Sequence, residues 1–128
     1  MRTARKGYVE IPERLSLPEL QRYVEWLEED RGFSDQTILE KCLLLGEEVG
    51  ELFKAVRKLS GLAVDADSEE REVADELADV LIFLASIANR AGVSLDEALR
   101  AKEAVNRRRV WQPASRPLPL AEEVGEEH

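Results

Sequence analysis

Residues 38–60 read ILEKCLLLGEEVGELFKAVRKLS, and the placement of apolar and acidic side chains in this run decides the fold. At about 100° per residue around a helix, Ile38, Cys42, Leu45, Val49, Leu52, Val56 and Leu59 form a continuous seam. Leu39, Leu43 and Phe53 widen it on one side, Leu44 and Ala55 on the other. A run of this length and period is a helix, and one apolar around most of its circumference is buried from several directions. Gly46 and Gly50 lower helix propensity, a cost that close approach of another helix explains. Glu48 falls inside the apolar arc, Glu51 at its edge, and Glu47 further round on the polar face.

Working outward, Ser34 or Asp35 is the expected cap of this helix and Gly61 its C′ residue. A third helix is predicted from Ser68 to Gly92, with Val73, Leu77, Val80, Leu81, Leu84, Ile87 and Ala88 as its seam. There Glu76 falls inside the apolar arc and Asp79 at its edge, repeating the acid pair at i and i+3. A first helix opens at the capping box Ser16-x-x-Glu19, with Pro18 in its first turn, and runs to about Asp30 before Arg31-Gly32-Phe33 breaks it. Ser94-x-x-Glu97 opens the fourth. The chain thus divides into an N-terminal arm (1–15), a helical domain (16–110) and a Pro-rich acidic tail (111–128). Four helices with short connections predict an all-α, antiparallel four-helix bundle. Three short neighbours cannot cover the second helix, so a homodimer, homotetramer or other homo-oligomer is expected.

Composition narrows the function. The 128 residues suffice for one domain. The formal charge of −9 makes the chain a poor general binder of nucleic-acid backbones. No stretch is long and apolar enough for a bilayer span and no signal core follows Arg2, Arg5 and Lys6, so neither membrane nor nucleic acid is an expected partner and a cytoplasmic location is expected. Cys42, in a helical apolar setting, reads as a core residue.

Ionised carboxylates in a core without partners cost several kcal/mol each. Three explanations fit Glu48, Glu51, Glu76 and Asp79: solvent exposure, ion pairs with Lys41, Lys54, Lys58 or Lys102, or a divalent cation. The single histidine is His128 at the chain end, and all-oxygen ligation favours Mg²⁺, with Mn²⁺ as the alternative. Two matched pairs on facing helices favour the metal. On the fourth helix the stripe Leu95, Ala98, Leu99 continues as Lys102, Asn106 and Arg109, groups suited to anionic oxygen. Cations complementing the helix dipole account for Arg107, Arg108 and Arg109 equally well.

These motifs resemble those of the MazG-type, all-α nucleoside triphosphate pyrophosphohydrolases, whose pattern is E-E-x-x-E followed at variable distance by E-x-x-D. Here Glu47-Glu48-Val49-Gly50-Glu51 precedes Glu76-Leu77-Ala78-Asp79, and Lys102-x-x-x-Asn106-x-x-Arg109 is similar to the family's closing element. The resemblance covers about residues 16 to 110. It implies Mg²⁺-dependent hydrolysis of a deoxy or non-standard nucleoside triphosphate to monophosphate and pyrophosphate, as in house-cleaning enzymes. Glu48, Glu51, Glu76 and Asp79 would be the metal ligands. Glu47 would orient or deprotonate water, or be a surface acid. Lys102, Arg109 and Asn106, and more weakly Lys54, would bind substrate. Substrates such as dUTP or dCTP, and phosphoribosyl-ATP, fall within the same superfamily. Trp26, Phe33 and Phe83 suit stacking on a base as well as packing. The competing class is a non-catalytic helical interaction or nucleotide-binding protein.

Overall fold

The computed structural model describes residues 9–61 and 66–109, with side chains in the second stretch described from residue 71. All regular structure among them is helical: α1 Leu17–Arg31, α2 Ile38–Ser60, α3 Ala66–Ala91 and α4 Leu95–Arg108. The tail, the first part of the arm and the side chain of Ser68, the expected cap, lie outside what is described.

Local chemistry sets the helix ends. Ser16 Oγ accepts from the Glu19 amide while Glu19 returns to the Ser16 amide, and Pro18 lies in the first turn. Gly32 ends α1 at φ 77°, a left-handed conformation natural to glycine. The N-cap of α2 differs from expectation. It is Thr37, not Ser34 or Asp35, because Gln36 N donates to Phe33 O and turns the chain before the helix begins. Thr37 then accepts from the Glu40 amide at 3.1 Å. α3 begins at Ala66, two residues before the expected Ser68.

The buried centre lies between α1 and α3. Leu20, Val24, Leu27 and Ala85 form it, with Leu17, Tyr23, Trp26, Ile82 and Leu95 packed around. α2 and α3 make the most extensive helix pair, and α1 packs on α3. The expected antiparallel bundle describes α2 and α3, but α4 departs from α3 at 95° and packs on α1. Gln21 fastens this corner, with its side chain bonding Asn89, Val93 O and the Leu95 amide. Among the described residues no single helix is long and apolar enough to cross a membrane.

The seam of α2 is not the face that packs within the chain. Lys41 and Ala55 are its buried residues, whereas Cys42 is exposed, contrary to its expected core position. Leu39, Leu43 and Phe53 are 67%, 65% and 70% exposed. A Cβ added at Gly46 or Gly50 meets nothing within 4 Å, so the close helix approach expected there is absent among the described residues. Because α2 is apolar almost all round, periodicity alone cannot decide which face meets α3.

Candidate active site

The register of α2 against α3 is fixed at both ends. Lys58 Nζ lies 3.5 Å from Glu72 Oε2 at one end, and Arg90 Nε donates to Gln36 O at 2.7 Å at the other. Between these ties the helices bring one oxygen each of Glu48, Glu76 and Asp79 within 4.8 Å of one another. Glu48 and Glu76 are half-buried and Asp79 is exposed.

Carboxylates this close disfavour each other's ionisation. Glu48 is pushed up to about 7 from an ordinary 4.5, first by a hydrogen bond with the Glu76 carboxyl, then by burial and by the charges of Asp79, Glu76 and Glu51. Glu76 Oε2 is buried and has no hydrogen-bond partner among the described residues. A buried carboxylate oxygen left unsatisfied is costly. Hard oxygen donors converging on one point, with one of them orphaned, fit a Mg²⁺ or Mn²⁺ ion. Glu51 is not one of the three converging acids. It stands one turn further along α2 and lines a cavity shared with Glu76.

The raised Glu48 carries a sign for stability. Its folded value exceeds its unfolded one, so its neutral form favours folding at low pH. Metal-free protein is therefore expected to lose stability as pH rises from about 4.5 to about 7. Allowing for its partial exposure, the loss is on the order of 2 kcal/mol, several degrees in Tm. Thermal unfolding in EDTA across pH 4.5 to 8 checks this. The slope should flatten in Glu48→Gln, and an unchanged slope would exclude Glu48 as its source.

Two cavities flank the acids. One, of about 260 Å³, is lined by Glu51, Lys54, Ala55, Lys58, Glu72 and Glu76. The other, of about 240 Å³, reaches Asp79 and is walled by Phe33, Lys41, Leu44, Ile82 and Phe83 among others. Their order is collinear. Along α2 it runs Lys41 and Leu44, then Glu48, then Glu51, Lys54 and Lys58; along α3 it runs Phe83 and Ile82, then Asp79 and Glu76, then Glu72. A mainly apolar compartment that includes Arg31 and Lys41 and a polar one that includes Lys54 and Lys58 thus lie toward opposite ends of the acid centre.

Of the substrate-binding residues expected from sequence, Lys54 is at this site. α4 carries the other three elsewhere in a single chain. Lys102 and Arg109 are exposed, Arg109 lies just past the helix, and none of Lys102, Asn106 and Arg109 lines either cavity. Glu47 is exposed beside Glu48. Trp26 packs against Tyr23 with ring centroids 5.9 Å apart and borders the core. Phe33 and Phe83 instead reach the cavity beside Asp79.

Sequence reasoning missed a buried group next to that cavity. Arg90 binds Glu28 through both terminal nitrogens, and Lys41 Nζ lies 3.7 Å from Glu28 Oε2. A signal was present. Glu28 continues the Leu20, Val24 stripe of α1, and Lys41 sits seven residues before Glu48 on the same face of α2. Lys41 does form an ion pair, but with Glu28, and Lys58 pairs with Glu72.

Residues 36–110 match the MazG nucleotide pyrophosphohydrolase domain. A dATP/dGTP diphosphohydrolase of Salmonella phage PMBT28 is 40% identical over 83 residues, which cover 65% of this chain and 24% of that protein. A dATP/dGTP diphosphohydrolase of Cyanophage S-2L is 40% identical over 68 residues, 53% of this chain and 52% of that protein. The chain therefore spans about a quarter of one relative and half of the other. The matched stretch holds α2, α3 and α4 and all the acids that converge between α2 and α3. With that match over more than half its length, the chain belongs to the MazG nucleotide pyrophosphohydrolase family.

Proposed function

We propose that the chain hydrolyses the α–β phosphoanhydride of a deoxynucleoside triphosphate, giving monophosphate and pyrophosphate, with Mg²⁺ held by Glu48, Glu76 and Asp79 and approached by Glu51. The orphaned, buried Glu76 Oε2 among the converging acids carries this reading. When bound, Mg²⁺ supplies neutralisation of triphosphate charge and acidity to water. The protein's own groups do the rest. Lys54 and Lys58, in the polar cavity, take the oxygens of the departing pyrophosphate. Glu47, exposed next to Glu48, orients or deprotonates the attacking water. Phosphoryl transfer of this kind depends mostly on position and charge. The paired α2–α3 frame provides both.

Purine deoxynucleotides are the substrates we infer, by analogy with the names of the two phage relatives. A panel of deoxynucleoside triphosphates with Mg²⁺ or EDTA, scored for pyrophosphate separately from phosphate, tests the class and the base together. No pyrophosphate from any nucleotide would leave the alternative, a helical binding or interaction protein.

A homo-oligomer completes the proposal. Leu39, Leu43, Phe53, Leu77 and Leu81 are exposed large apolar residues on α2 and α3, and such surface marks an interface. Assignment of Lys102, Asn106 and Arg109 to phosphate requires a second copy to bring its α4 to the acids. Phe53→Asp is expected to shift the chain to a smaller species in sedimentation with its helix content intact. A wild-type chain that sediments as a monomer would refute the interface.

A further inference from the structure

We propose that the cavity beside Asp79 receives the nucleobase and that Lys41 reads it, favouring 6-oxopurines such as guanine and hypoxanthine over adenine; this rests on the reading of the chain as a nucleoside triphosphate pyrophosphohydrolase. Position comes first. The cavity is lined by Asp79, the acid nearest the apolar end of the site, and lies toward the other end of the acid centre from the compartment of Lys54 and Lys58. A nucleotide whose α-phosphate meets the acids and whose pyrophosphate faces Lys54 and Lys58 places its base there. At about 240 Å³ the space is smaller than the roughly 300–1,000 Å³ of sites that enclose a whole ligand. It suits the base alone. Leu44, Ile82, Phe33 and Phe83 give it the apolar walls a flat ring needs.

Charge then selects the base. Glu28 is committed to Arg90, whose Nη1 lies 3.0 Å from Oε1 while Nη2 bonds Oε2. The remaining Arg90 donors go to Gln36 O, Phe33 O and Ser86. Two cations thus share one carboxylate, and Lys41 is the surplus. Its Nζ lies 3.7 Å from Glu28 Oε2, beyond hydrogen-bond reach, and 5.4 Å from the centroids of both Phe33 and Phe83. Lys41 is 4% exposed, so its ammonium has lost most of its water. Such a group needs acceptors. Guanine and hypoxanthine offer O6 and N7 side by side. Adenine puts an amino donor in the place of O6, against the ammonium. Cytosine likewise presents an amino group, and a single pyrimidine ring fills less of the cavity.

The test compares dGTP, dITP and dATP by kcat/KM for pyrophosphate release from the full chain with Mg²⁺, and separately titrates dIMP and dAMP by calorimetry, which reads binding without turnover. dITP lacks the 2-amino group of dGTP and keeps O6 and N7, so it isolates the edge that Lys41 faces. The expected result is a preference for dGTP and dITP over dATP of at least about ten-fold, with dIMP binding more tightly than dAMP. In Lys41→Met, of similar length without donors, the ratio should fall toward unity. A dATP efficiency equal to or above that of dITP overturns the proposal, as does a folded Lys41→Met with the wild-type ratio. Should that variant not fold, the wild-type dITP-to-dATP comparison still decides. Should no triphosphate be cleaved, the proposed activity fails, and the calorimetric order of dIMP and dAMP alone supports or overturns the role of Lys41.

Discussion

Replacing Glu48 or Glu76 with Gln is expected to lower pyrophosphate release by about 10²–10³-fold or more while leaving the helices folded. Gln keeps the shape of each side chain and removes one negative charge from a point where three carboxylates converge within 4.8 Å. Charge at that point is what the metal-bound triphosphate requires, so activity goes. The same charge opposes folding without metal, because Glu48 is raised to about 7 by its acidic neighbours. Tm of either variant in EDTA at neutral pH should therefore equal or exceed that of the wild type. Wild-type protein alone should gain Tm from Mg²⁺. A variant that loses activity because it unfolds would contradict this, and so would one with near-normal turnover.

The second large effect is on stability. Glu28→Ala is expected to cost about 3–5 kcal/mol, because it leaves the buried Lys41 and the half-buried Arg90 without their carboxylate. Arg90 is the centre of this cluster. It joins Glu28 on α1, Ser86 on α3, and the carbonyls of Phe33 and Gln36 in the α1–α2 connection. Loss of Glu28 therefore loosens the place where three helices meet. A drop in Tm well above 10 °C, followed by circular dichroism at neutral pH, is the expected outcome. A change within about 1 kcal/mol would mean that solvent screens the cluster.

Glu28 also gives acid sensitivity of opposite sign to Glu48. Burial raises its value, but hydrogen bonds from Arg90 and Ser86 and the charges of Arg90 and Lys41 outweigh burial and hold it below the ordinary range. Its contribution is present above pH 4.5 and is lost as pH falls through its folded value. Metal-free protein thus weakens on both sides of a mildly acidic optimum.

Much of this was legible from residue placement. Capping boxes and glycines located the helix ends, because their chemistry is local: Ser16 with Glu19, Gly32 and Gly92 at positive φ. The acid pairs stood out because Glu48 and Glu76 occupy apolar arcs, and both prove half-buried and adjacent. Tertiary direction was not legible. An α2 apolar all round gives no sign that Lys41 and Ala55 face inward while Cys42, Leu43 and Phe53 face outward. Nor does a periodic α4 announce its 95° departure from α3, which depends on Gln21 satisfying Val93 O and the Leu95 amide. The stripe of Lys102, Asn106 and Arg109 meets the acids within one chain only if the four helices close into a bundle. A single chain does not form one.

The most direct test of hydrolysis at the α-phosphorus is the fate of oxygen-18 from labelled water during dGTP cleavage, followed by ³¹P NMR in Mg²⁺ and in EDTA. Attack at the α-phosphorus, with the acid centre holding the metal, places one labelled oxygen in dGMP and none in pyrophosphate, with no turnover in EDTA. Label in pyrophosphate or phosphate, formation of dGDP, or turnover that persists in EDTA would contradict it.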